Sequence, residues 1–140
     1  MYLTRIIYAS KVSETFNQDD IHKILTKAQL NNSELNITGF LCFDHNYFLQ
    51  CLEGSRTSVN KIYHKIAQDS RHSELTIIEY SEVSQRIFHQ WTMGLHFDSN
   101  ENRELNLQFS KNDYFNPFEL SSGGAVAFLK HLSNLKLEKK

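Results

Sequence analysis

Proline occurs once in the 140 residues and glycine five times. That scarcity excludes collagen-like, linker-rich and low-complexity chains. Cysteine is nearly as rare. Cys42 and Cys51 are two residues, too few for a disulfide framework. They read as buried thiols acting as small hydrophobes in a reducing cytoplasm, although a hairpin turn centred on Asn46–Tyr47 would place them opposite each other. An excess charge of one sign is also missing. The formal net charge is −1, which leaves no electrostatic footprint for nucleic acid or an anionic membrane. No apolar run approaches the roughly 20 residues of a membrane span. The opening MYLTRIIYAS lacks the charged n-region, apolar core and cleavage site of a signal peptide. These absences predict a cytoplasmic protein with no direct nucleic-acid or membrane partner.

What is present is material for a core: 40% hydrophobic residues and ten Phe, in a length that suits one domain. Leu3–Ser10 is a β-rich run, with Ile6 and Tyr8 on one face and Arg5 and Ile7 on the other. Asp19 and Asp20 precede Ile21, Ile24, Leu25 and Ala28, an amphipathic helix with acids at its positive end. It is expected to end near Asn31–Asn32. A hairpin follows, Ile37–Phe43 and Phe48–Leu52, turning through Asp44–His45–Asn46. Ser55 is a candidate N-cap for a second helix bearing Val59, Ile62, Tyr63 and Ile66. Two β-runs close this part, Leu75–Val83 and His89–Phe97, the latter predicted to carry Trp91, Met93 and Leu95 on one face. The order β-α-β-β-α-β-β predicts an α+β, ferredoxin-like sheet with two helices on one face. Residues 1–98 form this domain. Residues 99–140 form a C-terminal helical extension, with Ala125, Phe128, Leu129 and Leu132 as its stripe, covering the other face. Its final LKLEKK sets cations at a helix C-terminus.

The hairpin is apolar on both faces except at Gln50. Burying an amide without partners costs about 2–7 kcal/mol. Gln50 must therefore lie at an edge, be paired with a neighbour, or face a polar ligand. The seven histidines show no metal-ligand spacing, so no metal site is expected. Phosphate-loop, dinucleotide and nucleophile-elbow motifs are missing, as is the aromatic RNA-binding strand motif. A polar constellation in an apolar frame remains: Tyr8, Asn31, Asn32, Gln50 and Trp91. Ile24 and Ile66, on the two helices, are placed to clasp something flat.

Five stretches, RIIYAS, NNSELNITG, FLQCLEG, DSRH and RIFHQWTM, resemble in order and spacing the BLUF family of flavin-binding blue-light photoreceptors. The chain's length and extra helix look like the short, stand-alone members. The resemblance implies FAD, with FMN or riboflavin able to substitute, sandwiched between Ile24 and Ile66. Asn32 then bonds the pyrimidine edge of the ring with Asn31 close by, and Asp69, Arg71 and His72 help to hold the cofactor. Lys65 stands where relatives carry Arg or His facing the flavin, and Ala28 where several carry Ser.

The chemistry suits that role. A side-chain amide carries donor and acceptor together, so Gln50 can bridge Tyr8 and a flavin and reverse its polarity. Tyr8, a neutral phenol with an ordinary pKa of about 10, can give an electron and a proton and take both back, leaving only hydrogen bonds changed. The expected sign is a small red shift that decays in the dark. Trp91 and Met93 are the expected first relay and the C-terminal helix the readout, toward an unknown protein effector engaged in a light-dependent way, in a protein expected to be a homo-oligomer. Either of the two relay residues is a candidate neighbour of Gln50. No enzymatic activity is expected. A small flavoenzyme and a ferredoxin-like ligand-binding module without photochemistry are the alternatives.

Overall fold

The computed structural model describes residues 3–14, 16–89, 91, 93–98 and 103–138. Gln90 and Thr92 of the quoted motif, and the terminal Lys139 and Lys140, lie outside the described residues.

Five strands form one sheet: β1 (Leu3–Val12), β2 (Thr38–Phe43), β3 (Tyr47–Ser55), β4 (His72–Val83) and β5 (Gly94–Phe97), in the order β4-β1-β3-β2-β5. The first four are antiparallel neighbours in the ferredoxin-like order, and β5 adds in parallel to β2. Helices α1 (Gln18–Glu34) and α2 (Arg56–Ala67) follow β1 and β3. The α1 start is a capping box: Asn17 accepts from the Asp20 amide at 3.2 Å and Asp20 accepts from the Asn17 amide at 3.3 Å. Ser55 caps α2, its hydroxyl accepting from the Ser58 amide at 3.2 Å.

The inner strands β1, β2 and β3 alternate between two cores. On the helix-covered face Ile6, Leu41, Phe43 and Leu52 pack with Ile21 of α1 and with Val59 and Ile62 of α2. On the other, Ile7, Phe40, Cys42, Leu49 and Cys51 pack with Ala125, Phe128, Leu129 and Leu132. Those four lie on the long helix Ser122–Glu138, here α4, which comes after a short α3 (Arg103–Phe109) and a single 3-10 turn at Pro117–Glu119.

Several expectations are corrected. The fifth β-run is not a strand from His89. Only Gly94–Phe97 joins the ladder, because Trp91 turns its carbonyl to the Gly39 amide at 2.9 Å instead of continuing β pairing. Trp91 and Met93 consequently do not share a face. Met93 belongs to the helix-side core with Leu95 beside it, whereas Trp91 packs in the opposite core. The cysteines, in contrast, are the buried free thiols expected, the turn at residues 44–46 setting Cys42 opposite Leu49 and Cys51 opposite Phe40. Asn31 and Asn32 lie inside the last turn of α1, which runs on to Glu34. Asn36, just beyond it, takes a left-handed φ of 55°, a conformation asparagine tolerates. No described helix is long and apolar enough to cross a membrane. Among the described residues no group of three His, Cys, Asp or Glu is placed to hold a metal.

Candidate functional site

The β1–β3 register sets Tyr8 directly opposite Gln50, and the β2–β3 register sets Leu41 on the other side of Gln50. Directly opposed residues point to the same side of a sheet, so both polar groups rise toward α1 and α2. The Tyr8 hydroxyl donates to Oε1 of Gln50. Nε2 of Gln50 then points at Sδ of Met93, 3.3 Å away. Sulfur is a weak acceptor, so the amide has one strong partner and one weak one. Both residues are buried, Tyr8 to 3% and Gln50 to 6% exposure. Burial is the main cause of a Tyr8 pKa pushed far above that of a free phenol, with Tyr63 and Asp69 adding to it. The phenol is therefore a proton-holding donor at every physiological pH.

Above this pair α1 and α2 leave a cleft of about 610 Å³ lined by Ile24, Ala28, Asn31, Asn32, Gln50, Lys65, Ile66, Asp69 and Arg71. A deeper lobe of about 470 Å³ adds Tyr8, Leu41, Phe48 and His72. Ile24 and Ile66 line both lobes from opposite helices. Asn32 is buried at the end of α1, where its carbonyl accepts from the Ile37 amide at 2.8 Å.

At the far end, Asp69 and Arg71 form a two-pronged pair, with Nε at 3.0 Å from Oδ1 and Nη2 at 2.6 Å from Oδ2. Those Arg71 hydrogen bonds hold the Asp69 carboxyl below the usual carboxylate range. His72 is clamped as well. Its Nε2 lies 2.6 Å from the Ile66 carbonyl, which can only accept, so Nε2 carries the proton. A neutral ring then accepts at Nδ1 from the Ser10 hydroxyl, 2.8 Å away. The His72 ring stands edge-on to Tyr8 at 6.3 Å.

The residues named from the sequence thus converge, with one exception. Ile24, Asn31, Asn32, Lys65, Ile66, Asp69, Arg71 and His72 line the cleft with Gln50 and Tyr8, and Met93 meets Gln50 from β5's approach. Trp91 does not line it. Its indole Nε1 donates to Ser133 of α4 at 2.9 Å, with the Lys136 ammonium 5.9 Å over the ring. Two lining or supporting residues were not singled out from the sequence, Lys27 and Ser10. Lys27 falls three residues beyond Ile24 on the same helix face, and Ser10 two residues beyond Tyr8 on the same strand face, so their periodicity was available.

The model of sensors of blue light using FAD matches residues 3–94 of the chain. The chain belongs to the BLUF family. In structure it is similar to BlsA in its photo-activated state, with a TM-score of 0.84, 30% identity and 94% of each chain covered. It is also similar to the dark state of the BLUF protein BlrB, with a TM-score of 0.78, 25% identity, and 95% of this chain and 96% of that one covered. Among curated sequences it is 30% identical to a photoactivated adenylate cyclase subunit beta of Euglena longa over 92 residues, 65% of this chain but 11% of that protein. The match is therefore to a small sensor-sized part of that relative.

FAD is the cofactor of BLUF domains, and this cleft fits it. The walls are aliphatic and face each other across a slot, which suits a flat ring. The floor and end carry neutral amides, which suit a ring edge that mixes donors and acceptors.

Proposed function

We propose that the chain is a flavin-dependent blue-light sensor without an enzymatic reaction of its own, switched at Tyr8 and Gln50. The observation that carries this reading is the buried hydrogen bond from the Tyr8 hydroxyl to Gln50, beneath a two-helix cleft, with the other end of the same amide on Met93. Ile24 and Ile66 hold the ring faces, Asn31 and Asn32 its polar edge, and Lys65, Asp69, Arg71 and His72 the outer end. FMN or riboflavin can occupy the same slot, since these contacts surround the ring.

When bound, the flavin supplies the blue-light absorption and a transient electron acceptor. The rest is done by the protein. Tyr8 gives up an electron and passes its phenolic proton along the bond to Gln50, and then recovers both, so nothing is consumed. Gln50, whose donor and acceptor ends are near-isosteric, is left with its hydrogen bonds exchanged. A net neutral hydrogen bond is worth about 1 kcal/mol, so the output is a modest shift between two populated arrangements. We assign residues 1–98 to sensing and 99–140 to readout. The relay runs from Met93 to Trp91, and through Ser133 to α4. The receiver is a protein effector engaged differently in dark and light. A homo-oligomer interface is a second means of amplifying so small a signal.

The test is a light-minus-dark absorbance spectrum of the flavin-loaded protein. Wild type is expected to shift to the red and relax in the dark. Tyr8→Phe and Gln50→Ala are expected to retain flavin and lose the shift. A wild-type-like shift in either variant would falsify the switch.

A further inference from the structure

We propose that Glu53 and Arg86 are positioning residues for the photoreaction, holding the segment that delivers Met93 to Gln50 and so setting how long the light-induced state lasts. The proposal rests on the photoreceptor reading above. Glu53 lies three residues beyond Gln50 on β3, with no exposed surface. A carboxylate in such a place has to be paired and hydrogen-bonded. Arg5 Nε donates to it at 2.9 Å. The Ile87 amide donates to its two oxygens at 2.9 and 3.2 Å, and the Phe88 amide donates at 2.9 Å. Two of these partners are therefore backbone groups of the segment after β4.

Arg86 grips the same segment from the other side. Its Nη1 donates to the Thr38 hydroxyl at 2.9 Å and to the Glu53 carbonyl at 3.0 Å, and its Nη2 to the Asn36 carbonyl at 2.7 Å. One guanidinium thus ties together β2, β3 and the turn that closes α1 just after Asn32.

The described residues between Val83 and Gly94 belong to no strand or helix. Further along the segment, contacts to the sheet, to α1 and to α4 share the clamp's hold: Phe88 stacked on Phe40 at 5.8 Å, the Trp91 carbonyl on the Gly39 amide, Gln29 Nε2 on the Met93 carbonyl at 3.4 Å and the Trp91 indole on Ser133. Met93 is seated at the end of that path. A Cβ on Gly39 would sit 2.2 Å from the Cys51 carbonyl and 3.3 Å from Met93 Cε, so the close backbone approach needs glycine there and the Met93 methyl packs at the edge of the same spot. Gln50 must turn back past this thioether to restore the dark arrangement. Loosening the clamp lowers that barrier.

The experiment measures dark recovery of the red-shifted absorbance in the flavin-loaded full chain, for Arg86→Gln and Glu53→Gln, each with Met93 intact and with Met93→Ala. Arg86 is half-buried, so its variant serves if Glu53→Gln fails to fold. Recovery is expected to quicken about tenfold, as when a barrier loses roughly one hydrogen bond. That acceleration is expected to disappear in the Met93→Ala background, since the two changes act through one contact. A folded Arg86→Gln protein recovering at the wild-type rate overturns the proposal, as does equal acceleration in both backgrounds. A wild type with no light-induced shift overturns the photoreceptor reading itself, and the proposal with it. A shifting wild type with unaltered variants overturns the proposal alone.

Discussion

Tyr8 holds its proton because burial, with Tyr63 and Asp69 nearby, penalises a phenolate. In the unfolded chain the same phenol titrates near pH 10. Above that pH the unfolded state releases a proton that the native state still keeps, so the native state binds more protons and stability falls as pH rises. The contribution is complete below about pH 10 and is lost progressively above it. Urea midpoints measured on either side of that value are expected to fall for wild type and to fall less for Tyr8→Phe. Below it the photoreaction amplitude is expected to be flat with respect to Tyr8, because the donor stays protonated. Gln50 was legible as a residue because a neutral amide interrupts an apolar run. Glu53 obeys the same logic more strongly, since Leu49, Cys51 and Glu53 alternate toward one face of β3, and a carboxylate at the third position demands partners. Beside Arg5, two of those partners, Ile87 and Phe88, offer only backbone amides, which leave no mark on a sequence.

Element by element, both helices of the cleft were readable from periodicity and end signals. Their end signals also bear energy. Asn17→Ala removes an N-cap and is expected to destabilise the protein by about 1 kcal/mol in chemical denaturation, loosening α1 and with it Ile24 and Asn32. The hairpin was readable too, but its pairing was not. Whether Cys42 meets Cys51 or Leu49 depends on where the turn centres, and a shift of that centre changes every partner. The longest departure lies between β4 and β5. Alternation extended from Leu95 back through Met93 and Trp91 puts all three on one face, which holds only while the chain stays extended. The chain leaves the ladder there, with the Trp91 amide on the Phe88 carbonyl at 3.0 Å, and Trp91 parts from Met93 to the opposite side of the sheet. β4 starts three residues earlier than its apolar run, at His72, because β1 extends to Val12 and pairs with it.

At the scale of the molecule, one sheet separates two unlike cores. The helix face is interrupted by a cleft. The opposite face is closed by aromatic packing: Phe128 lies 5.9 Å from Phe115 and 5.7 Å from Phe109 and is 1% exposed. Phe128→Ala is expected to cost about 3–5 kcal/mol, lowering the melting temperature of the sheet and of flavin retention together, since the strands are shared. Separate melting of flavin release and secondary structure would show the two faces to be independent instead. The overall order of elements was legible because short apolar β-runs alternate with stretches of helical periodicity bounded by end signals. That α4 completes the second core was legible from its stripe. Its hold on Trp91 was not, because it passes through the Ser133 hydroxyl and the Lys136 ammonium, polar groups among several on α4 that the sequence does not single out. Trp91 is fastened to the sheet by its carbonyl on Gly39 and to α4 by its indole on Ser133. The two fastenings run on different clocks. Opening a strand ladder is a collective event of microseconds or longer, whereas a side chain changes rotamer in roughly nanoseconds when its surroundings allow. Trp91 can let go of α4 on the fast clock while its backbone keeps time with the sheet.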